Sequence, residues 1–553
     1  MVDTMMDAAG SRPSRRQVLT GGAAVLAGTT GLVGRTGPAY AAQRVRPPKT
    51  IELETVVVGT GDYKYLPFRV PHGVTRIDVE LTKSDQETKV GVGLFDARGA
   101  AYQSPGFRGI YGEERSRFWV ARNGASQSFM PGPMRAGTWT VIVPVFRAPV
   151  PTRVTVRVTM SFADRGAAAF SPGPEPGVVL DRPGWYRGDF HCHTPASSDA
   201  WSSHSALPPR EWAATCRRIG LDFVALTDHN VVTQNYFLAR DAGADVLLLA
   251  GEEMTNWFHG HATVSGISPG DWLDFRQSPY GLPLPTGGAR IAEFIRVAES
   301  MGGYVSAAHP FGATLAWQFF PEAETQPAAR THGVEVWTGP WQPDEELALK
   351  YWDLALQRGW RIAANGGSDL HGVDNDAGFA AGLPTTVVHA CRLAKRDVIA
   401  AVRDGRSFVT KAPDGVEAYL VARRPGQRTY TGGTVWGDVG DLVTIRCRAR
   451  RGAGRRLILI AQGAPLSVTQ LSEDDQTVEA TVPVPAGGGY VRAEVRGQPD
   501  LRPTNPPASS GDMEALTNPI WLAVGDPPAD YVAEEAPVPI ESGPRRTSLS
   551  SKP

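Results

Sequence analysis

The stretch "YRGDFHCHT", Tyr186–Thr194, decides how this chain is read. It sets His191 and His193 two residues apart with Cys192 between them. On a strand, side chains alternate between faces, so both imidazoles share one face and Cys192 takes the other. The pair is then either a set of metal ligands at the end of a buried strand or two ordinary histidines beside a turn. The rest of the chain has to choose.

From about residue 185 to 412, apolar runs ending in polar residues alternate with helix patterns. The strand candidates are "YRGDFHCH", "LDFVALTDHN", "DVLLLAGEEMT", "HATVSGI", "GYVSAAHP", "GVEVWTGP" and "RIAANGGSD". The helix candidates include "LPPREWAATCRRIG", "GARIAEFIRVAESMG", "DEELALKYWDLALQRG" and "KRDVIAAVRDG". Pro near a helix start and Gly at its end are favoured positions. Strands alternating with helices predict a parallel sheet, and about seven such repeats predict a closed barrel.

In such a barrel, chemistry collects where strands end. The strand ends carry His191 and His193 with Asp199 shortly after, then Asp228 and His229, Glu252 and Glu253, His259 and His261, His309, Glu335, and finally Asp369 and His371. Six of the eleven histidines fall in these motifs, not counting His259. Taken singly, each has an ordinary reading as a turn, a helix cap or a strand-to-loop junction. Their recurrence at consecutive strand ends points to a metal site. Mixed imidazole and carboxylate ligands suit Zn, Mn or Fe better than Ca or Mg. So many ligands exceed what one ion takes, so two or three ions sharing a bridging carboxylate fit better.

The flanks read differently. Residues 53–170 hold short alternating runs such as "TRIDVELT" and "TRVTVRVTMSF", which predict an N-terminal β-sandwich. A Pro/Gly hinge follows at "SPGPEPGVV". Residues 413–525 return to β patterns, and the Pro-, Glu- and Ser-rich tail 526–553 predicts disorder. Residues 1–42 contain Arg15-Arg16, a weakly apolar Gly/Ala-rich stretch and "AYAA", a pattern similar to a twin-arginine export signal with a small-residue cleavage site. Export through that machinery would leave the chain extracellular, cell-wall-associated or periplasmic, with no stable membrane span once the signal is removed. Net charge is −1, which gives no field for nucleic acid. The four cysteines form no CxxC pair, so no disulfide framework is expected.

The ordered set "HCHT…SSD", "LTDHN", "GEEMT", "HGHATVSG", "AAHP" and "GGSDLHG" resembles the PHP (polymerase and histidinol phosphatase) superfamily, across about residues 185–412. It is most similar to the carbaryl-hydrolase-like (CehA/McbA-type) branch. The resemblance implies a distorted seven-stranded (βα) barrel holding two or three divalent metals; with the β patterns on either side, the chain reads as multidomain, with N- and C-terminal β-sandwich-like domains flanking the barrel. By motif position the resemblance implies His191, His193, Glu253 and Asp369 at a first metal, with Glu253 bridging to a second held by His261 and His309. Asp199, His229 and His371 would hold a third. His259 could replace His261, and His204 could enter the third site, because "AWSSHSALPP" departs from the family's compact pattern. Asp228, Glu253 and Asp369 are the expected catalytic carboxylates, Asp228 as an orienting group or proton acceptor.

The implied activity is metal-dependent hydrolysis of a small phosphate mono- or diester. Two alternatives stand beside it: hydrolysis of a carbamate or carboxylic ester, and a degenerate barrel serving a glycan- or cell-wall-binding protein. Among accompanying residues, Glu335 reads as an orienting partner for a ligand histidine or as a strand-end structural group. Trp337 and Trp341 read as core ahead of walls of a substrate pocket, His332 as structural, and Arg361 as lying at the far end of the barrel rather than facing a phosphate.

Overall fold

The computed structural model describes residues 46–534 apart from 114, 163–167, 200–204, 257–259, 277–287, 313–315, 374–377 and 498–511. The export-signal reading, the His204 and His259 alternatives and the tail beyond 534 therefore lie outside the described residues.

Seven strands build the centre: β1 (Gly184–Cys192), β2 (Phe223–Leu226), β3 (Leu247–Asn256), β4 (Gly260–Ser265), β5 (Tyr304–Ala307), β6 (Gly333–Thr338) and β7 (Ala363–Gly367). Each pairs with the next in sequence. β2–β7 are buried along their whole length, as expected of strands covered on both faces. The helices that cover them start and stop where the sequence signals said. Pro209–Ile219 opens on Pro and ends at Gly220 with φ 85°, the left-handed cap conformation glycine allows. Pro343–Gln357 opens on a capping box between Gln342 and Glu345.

The end of β1 also bonds to the turn after β7. Asp369 N–H donates to His191 O at 2.8 Å, and His193 N–H donates to Leu370 O at 3.1 Å. Only the last residues of β1 take part in these contacts. Its earlier half, Gly184–Gly188, pairs antiparallel with Thr385–Ala390 instead.

The parallel-sheet expectation needs one correction. β1–β2–β3 and β5–β6–β7 are parallel, but β4 runs antiparallel to both neighbours. The reason is the connection: only residues 257–259 separate β3 from β4. A parallel crossover takes a dozen residues or more, so three permit only a hairpin.

The N-terminal region is an antiparallel sheet system organised by one long strand, Gly137–Ser161. Its first half pairs with Asp62–Val70 and its second with Lys49–Gly59 and Arg76–Lys83. Val154, Val156, Val158 and Met160 alternate inward and are fully buried, the period-two pattern visible in the sequence. The C-terminal region pairs a four-stranded antiparallel sheet with an extension of the central sheet. Ser407–Thr410 continues Thr385–Ala390 and pairs with Met513–Thr517, so the sheet runs unbroken from centre to C-terminal region. Residues 526–534 are held rather than loose: Glu534 N–H donates to Arg428 O at 2.9 Å, and the Glu534 carboxylate pairs with Arg406 at 2.8 Å. Tyr531 and Glu534 are anchors that the tail's composition conceals. No helix among the described residues is long and apolar enough to cross a membrane.

Candidate metal centre

The strand ends deliver their polar side chains to one place. His191, at the end of β1, and His193, just past it, are fully buried. Cys192 faces away, its Sγ donating to Ala225 O at 3.1 Å. Trp212, on the helix Pro209–Ile219, donates its indole N–H to His193 O at 3.1 Å. Glu253 is the seventh residue of β3, and it is fully covered. Glu252, on the other face, accepts from Leu273 N–H at 2.9 Å, and burial holds its carboxyl well above the usual range.

Four ligand atoms converge first: His191 Nε2, His193 Nε2, Glu253 Oε2 and Asp369 Oδ1. His191 Nε2 lies 3.3 Å from His193 Nε2, 3.3 Å from Glu253 and 3.2 Å from Asp369. His193 Nε2 lies 3.4 Å from Glu253 and 3.1 Å from Asp369. Donor atoms about 2.0–2.1 Å from a tetrahedral zinc are separated by about 3.3 Å along each edge of the tetrahedron. The spacing matches that edge. Hydrogen bonding accounts for only part of it: His193 Nε2 meets His191 Nε2 and Asp369 Oδ1 at hydrogen-bond distance, but Glu253 Oε2 is buried with no hydrogen-bond partner. Uncompensated acceptors of this kind are costly, and a cation at their centre satisfies them together.

Two further groups adjoin the first. One is His229, Glu253 and His261. Glu253 Oε1 lies 2.8 Å from His261 Nδ1 and 3.3 Å from His309 Nε2, while Oε2 lies 2.8 Å from His229 Nδ1. Glu253 thus touches both groups, as a bridging carboxylate would. His261 Nε2 is buried without a partner. The other group is His193, His229 and His371. His229 Nε2 and His371 Nε2 face each other at 3.2 Å, and His371 Nδ1 meets the Asp369 carbonyl at 3.0 Å. Asp199 Oδ2 is 3.9 Å from His371 Nε2, and its Oδ1 is buried with no hydrogen-bond partner. These buried imidazole and carboxylate groups could hold metal ions.

Every metal-ligand candidate of the sequence that the structure describes sits in this cluster or against it. Asp199 and His309 are at its edge, outside the tightest groups. Asp228, expected as an orienting group or proton acceptor, is fully buried. Its two oxygens accept from Thr194 N–H and Thr194 O–H, both at 2.5 Å, so it holds the chain just after His193.

Two more carboxylates orient the ligands. Glu335 receives His191 Nδ1 at 3.1 Å on each oxygen and accepts from His309 N–H at 3.0 Å. With Nδ1 engaged there, His191 turns its Nε2 toward the cluster. Asp189 went unnoticed in the sequence. It is fully buried and accepts from His191 N–H, Ser368 N–H and Gly382 N–H, tying β1 to the turn after β7. Its signal was an acid in an otherwise buried strand, two residues before a ligand. His309 and Asp369 have φ of 26° and 50°. Left-handed backbone at two non-glycine candidate ligands is strain that the surrounding bonds must hold.

Electrostatics follow from burial and crowding. Burial opposes charge on His191, yet Glu335, Asp369 and Glu253 outweigh it and raise its pKa well above the usual value. Burial likewise opposes charge on His229, and Glu253 prevails, raising it to about 9. His193 is lowered to about 3 by burial and by neighbouring His371 and His229. His261 is lowered to about 4, chiefly by burial. Glu253 and Asp369 are held well below the carboxylate range: burial works against them, and the surrounding histidines overcome it. Burial pushes Asp228 up to about 8 and Asp189 up to about 6.

The outlying residues are structural. His332 Nδ1 accepts from Val305 N–H at 2.9 Å, and Trp337 is buried. Arg361 lies over the Trp521 ring of the C-terminal region.

No family model matches the chain, and no curated protein does. Among solved structures, a Bacteroides uniformis β-glucuronidase aligns at 9% identity and TM-score 0.18, over 85% of this chain and 74% of its own. A family two carbohydrate esterase from Cellvibrio japonicus aligns at 11% identity and TM-score 0.16, over 65% of this chain and 95% of its own. Overlap this slight carries no argument about fold or function, so the geometry of the cluster has to speak for itself.

Proposed function

We propose that this chain is an exported metal-dependent hydrolase of the PHP type, with a distorted (βα) barrel, acting as a phosphoesterase on a small mono- or diester. The observation that carries the proposal is the set of ligand-atom spacings of 3.1–3.4 Å around an unbonded, buried Glu253 Oε2.

His191, His193, Glu253 and Asp369 would hold one divalent ion. Glu253 would share itself with a second at His261 and His309, and His229, His371 and Asp199 would hold a third. Bound Zn, Mn or Fe supplies Lewis acidity and a hydrolytic nucleophile from water near neutral pH. The protein's own part is orientation. Glu335 fixes the His191 ring, Asp228 fixes Thr194 beside His193, and Asp189 locks the strand beneath them. Asp369, with its side chain 19% exposed, is the member of the first group that reaches solvent and can pass a proton outward. His371, His309 and Asp199 are also partly exposed, which marks the side from which substrate approaches.

Export in the folded state through the twin-arginine route suits such a site, because its ligands meet only when the strands have assembled. The test is turnover of p-nitrophenyl phosphate, bis-p-nitrophenyl phosphate and a naphthyl carbamate by the metal-loaded chain. Phosphoester hydrolysis is expected. Carbamate turnover without phosphoester turnover would overturn the substrate class.

A further inference from the structure

We propose that the N-terminal β-region builds part of the metal centre: Ser128 positions the Thr194–Asp199 loop and, through it, the group made by His193, His229, His371 and Asp199. This rests on the reading of that cluster as a metal site.

Ser128 is fully buried and has φ 68°, a backbone conformation that serine rarely adopts. Its hydroxyl lies 2.5 Å from Ala196 O and 3.2 Å from Ser197 O, both on the central region's loop. A second N-terminal group, Gly112 N–H, donates to Ser198 O at 2.9 Å. The loop so held reaches directly into the cluster. Ser197 Oγ accepts from His229 N–H at 3.0 Å and lies 3.4 Å from His193 Nδ1. Ser198 N–H donates to His229 O at 3.3 Å, and Asp199 follows.

The turn that carries Ser128 is itself fixed. Phe129 stacks on Phe118 with ring centroids 3.8 Å apart. Gly109 lies so close that an added Cβ would meet Ser128 O at 2.2 Å. Glycine would suit the Ser128 backbone better than serine does. A serine retained in a glycine conformation, with its hydroxyl spent on another region's ligand loop, is a positioning residue. It acts on the loop and touches no ligand itself.

The test uses the full chain, stripped of metal and titrated with Zn²⁺, with bound zinc counted after dialysis. Four proteins are compared with wild type: Ser128→Gly, Ser126→Ala, His371→Ala and the Ser128→Gly/His371→Ala double variant. Ser126 serves as the control because its hydroxyl stays within the N-terminal region, accepting from Trp119 N–H. Ser128→Gly relieves the backbone while deleting the hydroxyl. It is expected to stay folded and to loosen the weakest-held zinc by roughly 10–100-fold, the usual effect of removing a group that orients a ligand. Ser126→Ala should bind like wild type, and Ser128→Gly should add nothing in the His371→Ala background. A Ser128→Gly binding curve that overlays wild type overturns the proposal, as does an equal loss of every zinc. Wild type that binds no zinc at all sinks the reading of the cluster itself.

Discussion

Glu253 faces a problem that protein groups alone do not solve. Its Oε2 is buried among His191, His193 and His229 at 2.8–3.4 Å and makes no hydrogen bond. In the metal-free chain the charge is balanced by protons instead: His191 and His229 have raised pKa values, His229 to about 9. A raised histidine pKa adds stability that is fully present below the ordinary value of 6.5 and is lost as pH climbs through the folded-state value. Glu253 and Asp369 are depressed, so their contribution holds above the usual carboxylate range and fails only in strong acid. The metal-free chain should therefore lose stability between pH about 6.5 and 9, measured by denaturant melts, while the metal-loaded chain should not. Zinc binding at pH 7 should release protons, seen by calorimetry in buffers of different ionisation enthalpy. At this scale the candidate ligands were legible, since histidine and carboxylate recur at successive strand ends. Asp189 was not, because its partners Ser368 and Gly382 lie 179 and 193 residues away.

Elements place these residues through close contacts that tolerate little. β7 ends at Gly367, where an added Cβ would meet His191 Cβ at 2.4 Å and Glu335 Oε1 at 2.7 Å. Gly367→Ala is expected to push the His191 ring off its carboxylate and cut metal affinity at least tenfold, as counted zinc would show. Far-ultraviolet circular dichroism should show the strands intact. Gly188 plays a similar part in β1, where the Phe223 ring leaves no room for a side chain. The strand and helix succession was legible from buried apolar runs and capping residues. The reversal of β4 was available from connection length but was masked by the regular alternation around it. Thr385–Ala390, which borders the first half of β1, carries no motif that announces where it pairs.

Across the whole molecule, the flanking regions are joined to the centre by buried polar contacts as well as by packing. Arg276 and Asp274 form a fully buried pair, and Arg276 also donates to Ala100 O and Ala101 O of the N-terminal region at 2.9 and 2.8 Å. Phe107 stacks on Trp272 across the same junction, ring centroids 4.1 Å apart. Arg276→Ala strands the Asp274 charge and should cost about 3–5 kcal/mol in urea unfolding. Changes in hydrophobic period lead the sequence reading to expect three regions. The contacts between them were not legible, because a sequence pattern records which face is apolar and not what covers it. The C-terminal continuity through Ser407–Thr410 and Met513–Thr517 is a case in point.

The central claim is that the strand ends of β1, β3 and β7 converge on metal. Elemental analysis of the natively purified chain, beside its His193→Ala variant, tests it most directly. If the strand ends converge on metal, it finds two or more divalent metal ions per wild-type chain, as multinuclear hydrolytic sites carry. It finds fewer in a His193→Ala chain that remains folded and has lost hydrolytic turnover. Fewer than two ions in wild type, or a His193→Ala variant as loaded and as active as wild type, would contradict that claim.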